Sequence, residues 1–239
     1  MNSLLTISDV SKSFGDLVAL EGINLEIRSG EVVGLVGSNG AGKTTLLRLM
    51  AGVYLPTTGS VSLQDGQPVD TMRQSLGVVP ESTGLYSRLT AWENIRYHSR
   101  MHGVSDEDSW ARTSKFAQHL DILDSLGRHT KGFSRGMRQK TALLRALAHG
   151  PSILLLDEPT ASLDPDVGDY IRTYIESFAS KKGSTILLAS HNMNEVERLC
   201  NEVMMMKNGE IIDRGTCDDL IKKHGRKNLE ETFLKIVRE

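Results

Sequence analysis

The chain has 239 residues, 28 Lys+Arg against 30 Asp+Glu for a formal charge of -2, 39% hydrophobic residues, 5% aromatic residues and 2 Cys. That length suits one large domain or two closely joined lobes with a substantial core, and the near balance of charge excludes the strongly basic field that nonspecific nucleic-acid or anionic-membrane binding draws on. Cys200 and Cys217 are too few for a secreted disulfide scaffold, MNSLLTISDV lacks a basic flank before a sustained apolar stretch, and no run reaches the roughly 18 apolar residues of a spanning helix, so the chain reads as cytosolic, with any membrane role carried through another polypeptide.

In chain order, Leu4 to Ser8 and Leu17 to Ile27 alternate apolar and polar residues, as half-exposed antiparallel strands do. Val32 to Val36 is almost continuously apolar and runs through a glycine-rich turn into LysThrThrLeuLeuArgLeuMet, whose leucine spacing predicts a buried helix stripe. Gly59 to Asp65 reads as an edge strand closed by an Asp65–Gly66 turn, and Leu76 to Val79 as a short buried strand ended by Pro80. From Thr90 to Gly150 three helical stretches follow, with Ser105 and Ser134 as N-caps of the second and third, and Asp106, Glu107 and Asp108 set against the helix dipole. Ile153 to Leu156, Thr185 to Ala189 and Val203 to Met206 then read as central strands separated by helical spans, with terminal helices at Asp218 to Lys223 and Leu229 to Val237. The expected fold is α/β: a β-rich core over about 1–84 and 151–215, a helical subdomain inserted over about 85–150, and C-terminal helices over about 216–239.

Gly37, Ser38, Asn39, Gly40, Ala41, Gly42, Lys43 and Thr44 fit G-x-x-x-x-G-K-[ST], between a predicted strand and a predicted helix. The glycines let backbone N–H groups turn inward around phosphate oxygens, and the helix start adds the positive end of its dipole. Lys43 reaches the outer phosphates, the Thr44 hydroxyl can ligate Mg²⁺, and Thr45 is counted with the nucleotide-binding residues. At the end of the strand Ile153 to Leu156 stand Asp157 and Glu158, where ligands of open α/β sheets gather. Phosphoryl transfer needs a carboxylate to hold Mg²⁺ and another to orient or deprotonate water, the roles assigned to Asp157 and Glu158.

Phe133-Ser134-Arg135-Gly136-Met137-Arg138-Gln139 opens a helix before that strand, and Ala161-Ser162-Leu163-Asp164 and His191 follow it. In this order the motifs resemble the ATP-binding cassette (ABC) ATPases over essentially the whole chain. The resemblance implies a P-loop NTPase with a RecA-like parallel core, an antiparallel β subdomain and a helical subdomain. It implies a head-to-tail homodimer that binds ATP and Mg²⁺, with Ser134 and Gly136 contacting the γ-phosphate held on the partner subunit. Phe14 matches the aromatic that stacks adenine, where a Tyr is usual, with core filling as the alternative. His191 matches the switch histidine that bonds the γ-phosphate and helps hold the attacking water. Asp164 matches the loop that communicates across the dimer, and Leu163-Asp164-Pro165 is equally good turn chemistry.

Two departures stand out. Arg135 and Met137 replace Gly and Gln of the family's commonest signature, and Glu81 falls where the family usually places a Gln that links Mg²⁺ to the membrane partner. Glu81, Gly84-Leu85-Tyr86, the Ser-Arg-Gly-Met signature and the tail Leu229-Glu230-Glu231-Thr232-Phe233-Leu234 resemble the ABC-2-type exporter branch, which includes sodium, drug and polysaccharide exporters. That resemblance implies an ATP-hydrolysing subunit on the inner face of the cell membrane, coupled to a separate permease, with no nucleic-acid partner. The alternatives are a soluble nucleotide-dependent clamp and a regulatory subunit that binds without turnover. His98 and His102 sit four apart with no third ligand evident, which reads as a wet helix face. Met204, Met205 and Met206 read as core, and Lys222, Lys223, Arg226 and Lys227 as a solvated face.

Overall fold

The computed structural model describes residues 3–63, 69–161, 163–181 and 183–238. In chain order its elements are β1 (Ser3–Phe14), β2 (Leu17–Arg28), β3 (Val32–Gly37), α1 (Lys43–Met50), β4 (Thr58–Leu63), β5 (Leu76–Val79), α2 (Ala91–Met101), α3 (Asp106–His119) and α4 (Arg135–Leu147). They continue with β6 (Ile153–Asp157), α5 (Pro165–Ala179), β7 (Thr185–Ala189), α6 (Met193–Leu199), β8 (Glu202–Lys207), β9 (Glu210–Gly215), α7 (Cys217–His224) and α8 (Leu229–Arg238). The chain separates into two compact units, Met1–Arg73 with Phe178–Glu239, and Gln74–Ser177.

In the first unit β1 pairs antiparallel with β2 and β4, in the order β2-β1-β4. On β2, buried Ile23, Leu25 and Ile27 alternate with exposed Asn24, Glu26 and Arg28, the two-residue period of a sheet with one wet face. β4 ends at Leu63, and the expected Asp65–Gly66 turn lies outside the described residues. β3 runs between β7 and β8, parallel to both, with Gly34 level with Leu188 and with Val203. Every residue of β3 and β7 is buried, because helices such as α1 and α6 pack on these strands and leave no face for polar side chains. Met204, Met205 and Met206 are fully buried, as expected of core. α6, α7 and α8 close the sheet through a cluster that includes Val36, Val196, Met205, Leu220, Leu229 and Ile236.

β9 was not expected. It pairs antiparallel with β8 across a two-residue turn whose Asn208 and Gly209 both have positive φ, at 50° and 84°. Such a turn matches the twist of its flanking strands, and Asn-Gly adopts it at little cost.

In the second unit β5 and β6 pair in parallel, Leu76 with Ile153 through Val79 with Leu156, and α4 packs on β5 as well as on α2 and α3. The three helices start where side chains satisfy their leading N–H groups. Thr90 and Glu93 form a reciprocal capping box on α2, Ser105 Oγ accepts from Asp108 N at 3.0 Å, and Ser134 Oγ accepts from Met137 N at 3.2 Å. Trp92 and Trp110 meet edge to face at 5.0 Å where α2 and α3 pack.

The reading of His98 and His102 as a wet helix face is corrected here. His149, just past the end of α4, stacks on His102 at 4.0 Å between ring centroids and lies 5.6 Å from His98. A third imidazole therefore stands beside the pair, brought there by the packing of α4 on α2 rather than by anything local in sequence.

Candidate functional site

In the first unit β3 delivers Gly37 into a loop that turns through Gly40 and Gly42, at φ 82° and 104°. A Cβ on Gly42 would stand 2.7 Å from Leu20 Cδ2 and 2.8 Å from the Ala19 carbonyl oxygen, and one on Gly37 would stand 2.7 Å from the Met206 carbonyl oxygen. Close approach therefore requires glycine at both positions, and the positive φ of Gly42 adds a conformational requirement there. The loop is pinned by Ala41 N donating to Ser38 O and Gly209 N donating to Ala41 O, both at 3.1 Å. Ser38, Asn39 and Gly40 form an exposed rim, with Thr44 and Thr45 half-buried behind it.

α1 begins at Lys43, with Gly42 as its N-cap. The leading N–H groups of a helix have no partners within it and carry the positive end of its dipole, which makes this turn an anion cradle. Lys43 is only 8% exposed, and its Nζ donates to the carbonyl oxygens of Gly37 at 2.7 Å and Ser38 at 3.1 Å. The ammonium is thus folded over the loop, with these two carbonyl oxygens among its partners.

Phe14 is 41% exposed, which favours an available ring over core filling. It meets Tyr54 edge-on at 5.3 Å, with Lys12 Nζ 5.1 Å from its centroid. Tyr54, which the sequence pattern did not single out, is held by Arg48 Nη1 donating to its hydroxyl at 2.9 Å. His191 is exposed on the turn after β7. That turn is fixed by Ser190 Oγ donating to the buried Glu195 carboxylate at 2.7 Å, by Asn192 N donating to Ser190 Oγ at 3.1 Å, and by Ser190 N donating to Leu35 O at 3.3 Å. Because Ala189 is level with Leu35 in parallel register, His191 leaves the sheet at the same edge at which Gly37 enters the loop.

In the second unit Asp157 ends β6 at 5% exposure. Glu158 follows with φ 51°, a left-handed conformation rare for a side-chain-bearing residue and a form of strain that concentrates at functional sites. Its backbone is tied by Gln139, 5% exposed on α4, whose Nε2 donates to the carbonyl oxygens of Glu158 and Pro159, each at 3.3 Å. Gln139 closes the segment Phe133–Gln139, and a polar residue on the inner stripe of a helix is the only local signal of this tie.

Glu81 is exposed two residues beyond Val79, which pairs with Leu156, so Glu81 and Glu158 leave the β5–β6 pair at one edge. Glu81, Thr83, Thr130, Arg135, Arg138 and Gln139 help line a cleft of about 590 Å³. Arg145 fastens one wall, with Nη1 donating to Gly84 O at 3.0 Å and Nη2 to Thr83 O at 2.9 Å, and burial lowers its pKa. Ser134 is exposed at the head of α4, and Gly136 is half-buried in its first turn. Asp164 is exposed, and its carbonyl accepts from Gly168 N at 2.9 Å to open α5; Ser162 lies outside the described residues.

A buried strand, a glycine-rich loop and a helix that begins at Lys43 define a P-loop nucleotide-binding domain. The family model described as ABC transporter matches residues 20–161, and the chain belongs to that family as an ABC-type ATPase domain. It is 39% identical, over 98% of its length and 99% of the relative's, to the ABC transporter ATP-binding protein NatA of Bacillus subtilis (strain 168). It is 35% identical to the Nod factor export ATP-binding protein I of Cupriavidus metallidurans, covering 92% of this chain and 74% of that one, and 33% identical to the methionine import ATP-binding protein MetN 1 of Bacillus cereus, covering 91% and 66%. Among solved structures, the dimeric post-hydrolysis state of the ATP-binding cassette MJ0796 bound to ADP and Pi matches with a TM-score of 0.82 at 26% identity, over 89% of this chain and 98% of that one.

Proposed function

We propose that this chain hydrolyses ATP to drive export through a separate permease of the ABC-2 type, working as a head-to-tail homodimer on the cytoplasmic side of a membrane. The observation that carries the reading is the phosphate loop with Lys43 folded onto its carbonyls. Incoming phosphate oxygens replace Gly37 O and Ser38 O as the partners of Lys43, while the amides of residues 38–44 take the remaining charge. Phe14 offers its exposed ring to the base.

Thr44 offers a hydroxyl, and Asp157 and Glu81 offer carboxylates, oxygen donors of the kind Mg²⁺ takes; the ion would supply charge neutralisation on the phosphates. Glu158 orients the attacking water and accepts its proton, and His191 holds the γ-phosphate. Ser134 and Gly136, at the head of a helix, present a hydroxyl and free N–H groups to the nucleotide of the second subunit. In this reading residues 85–150 form the helical subdomain facing the permease, and the cleft beside Glu81 receives a cytoplasmic helix of that partner. No helix among the described residues is long and apolar enough to cross a membrane. The likeness to the Nod factor export relative supports export, while the methionine import relative leaves direction to be decided by the permease itself.

Phosphate release with permease-containing membranes tests the enzyme. Glu158→Gln lowers turnover by roughly 10² to 10⁴-fold with nucleotide binding retained, the range for a positioned acid-base group. Equal, negligible rates in wild type and variant would overturn the reading. Co-purification of a multi-spanning protein with the tagged chain tests the permease.

A further inference from the structure

Among residues given no role toward nucleotide, His98 and His102 of α2 and His149 after α4 bring three ring nitrogens, one from each, within 4.8 Å of one another. His149 is 7% exposed, and its Nε2 lies 3.0 Å from the Leu76 carbonyl oxygen. A carbonyl can only accept, so Nε2 carries the proton and Nδ1 is left with its lone pair. That Nδ1 is buried without a hydrogen-bond partner among the described residues, and so is Nδ1 of His98. Buried polar atoms are nearly always satisfied, and two orphans on neighbouring rings call for a shared partner.

We propose that His98, His102 and His149 form a three-imidazole site for a divalent transition-metal ion of the zinc class, its fourth position taken by water. The Nε2–H of His149 on a backbone carbonyl is the kind of outer hydrogen bond that fixes the tautomer of a metal-ligating histidine. Burial first, then the Arg145 charge, pushes His98 down to about 3, and burial first, then His102, pushes His149 down to about 4; burial also lowers His102. All three rings are therefore neutral, the ligating form, at neutral pH.

A donor set of imidazoles without carboxylates suits zinc, copper or nickel rather than magnesium or calcium. In a tetrahedral site with metal–nitrogen bonds of about 2.0–2.1 Å the ligating nitrogens stand roughly 3.3 Å apart, so binding draws the rings together and breaks the stack of His102 on His149. Arg145, tied to the carbonyls of Thr83 and Gly84, and Arg112, whose Nη1 donates to Ala148 O at 3.4 Å, are the cations that oppose a dication here and moderate its affinity. The bound ion staples α2 to the end of α4 and, through the Leu76 carbonyl, to β5.

The test uses the full chain without a histidine tag, metal-free and nucleotide-free, with Zn²⁺ affinity read by competition against a chromogenic chelator and site geometry read from Co²⁺ absorption. Wild type takes up one Zn²⁺, gives a tetrahedral Co²⁺ spectrum and melts at higher temperature with zinc present. His98→Gln and His102→Gln, at half-exposed positions that leave the fold intact, each weaken Zn²⁺ at least about tenfold and abolish the shift in melting. His224→Gln, outside the cluster, changes neither. The proposal is overturned if wild type fails to take zinc from the chelator, if both variants bind as wild type does, or if His224→Gln alone removes the binding.

Discussion

Gly42 and Gly40 differ in what surrounds them, which makes a paired alanine substitution informative. Both hold a positive φ, 104° and 82°, so an added side chain costs about 1–2 kcal/mol of backbone strain at either position. At Gly40 a Cβ meets no atom within 4 Å, whereas at Gly42 it meets Leu20 Cδ2 at 2.7 Å and Ala19 O at 2.8 Å. Leu20 is fully buried, so relief requires moving core and the backbone of β2, an overpacking cost of about 1–3 kcal/mol. The loss of unfolded-state entropy is the same for both and cancels. Gly42→Ala is therefore less stable than Gly40→Ala by about 1–3 kcal/mol, a difference of roughly 2–12 °C in melting temperature for a chain of this size. Thermal unfolding of the two variants side by side, without nucleotide, measures it. Equal melting temperatures would show that Gly42 is not held against β2 as described.

Gln139→Ala removes both hydrogen bonds to the Glu158–Pro159 backbone, so stability falls by about 1–3 kcal/mol and kcat falls roughly ten- to a hundredfold at near-constant ATP affinity, checked by denaturant titration and steady-state kinetics. Thr90→Ala breaks the capping box of α2 and costs about 1 kcal/mol in the same denaturant assay, with ATP affinity unchanged. Asp213, with a side chain only 7% exposed, accepts from Lys223 Nζ at 2.7 Å and His224 Nε2 at 2.6 Å. Burial pushes its carboxyl up, but these hydrogen bonds and the Lys223 charge together hold the pKa below the usual 3.8. Its contribution is therefore complete above pH 3.8 and is lost as pH falls through the lowered folded value. Stability followed from pH 6 to pH 2.5 declines more in wild type than in Asp213→Asn, and parallel curves would refute the pairing.

The glycine-rich turn between β3 and α1 was legible because its signal is local: glycines, a lysine and a threonine at fixed spacing between an apolar run and a helical stripe. Buried strands such as β3, β6 and β7 were legible because a strand covered on both faces has no choice but a continuous apolar run. β9 was missed although Asn208–Gly209 announced the hairpin, since its residues alternate between exposed and half-buried and give a weak apolar pattern. Long-range partnerships were not legible. Nothing near His149 says that it meets a ring on α2, nothing near Gln139 says that its amide ties the Glu158 backbone, and the positive φ of Glu158 is imposed by tertiary structure against its own preference.

The central claim, that the loop of residues 37–44 and Lys43 hold the phosphates of a nucleotide, is tested most directly by calorimetric titration of ATP with and without magnesium into the wild type and Lys43→Ala. The account predicts magnesium-dependent binding by the wild type and an affinity lower by about 10- to 150-fold in the folded variant, the equivalent of one charge-assisted hydrogen bond of about 1.5–3 kcal/mol. Equal affinities in the two proteins, or no uptake of ATP by the folded wild type, would contradict it.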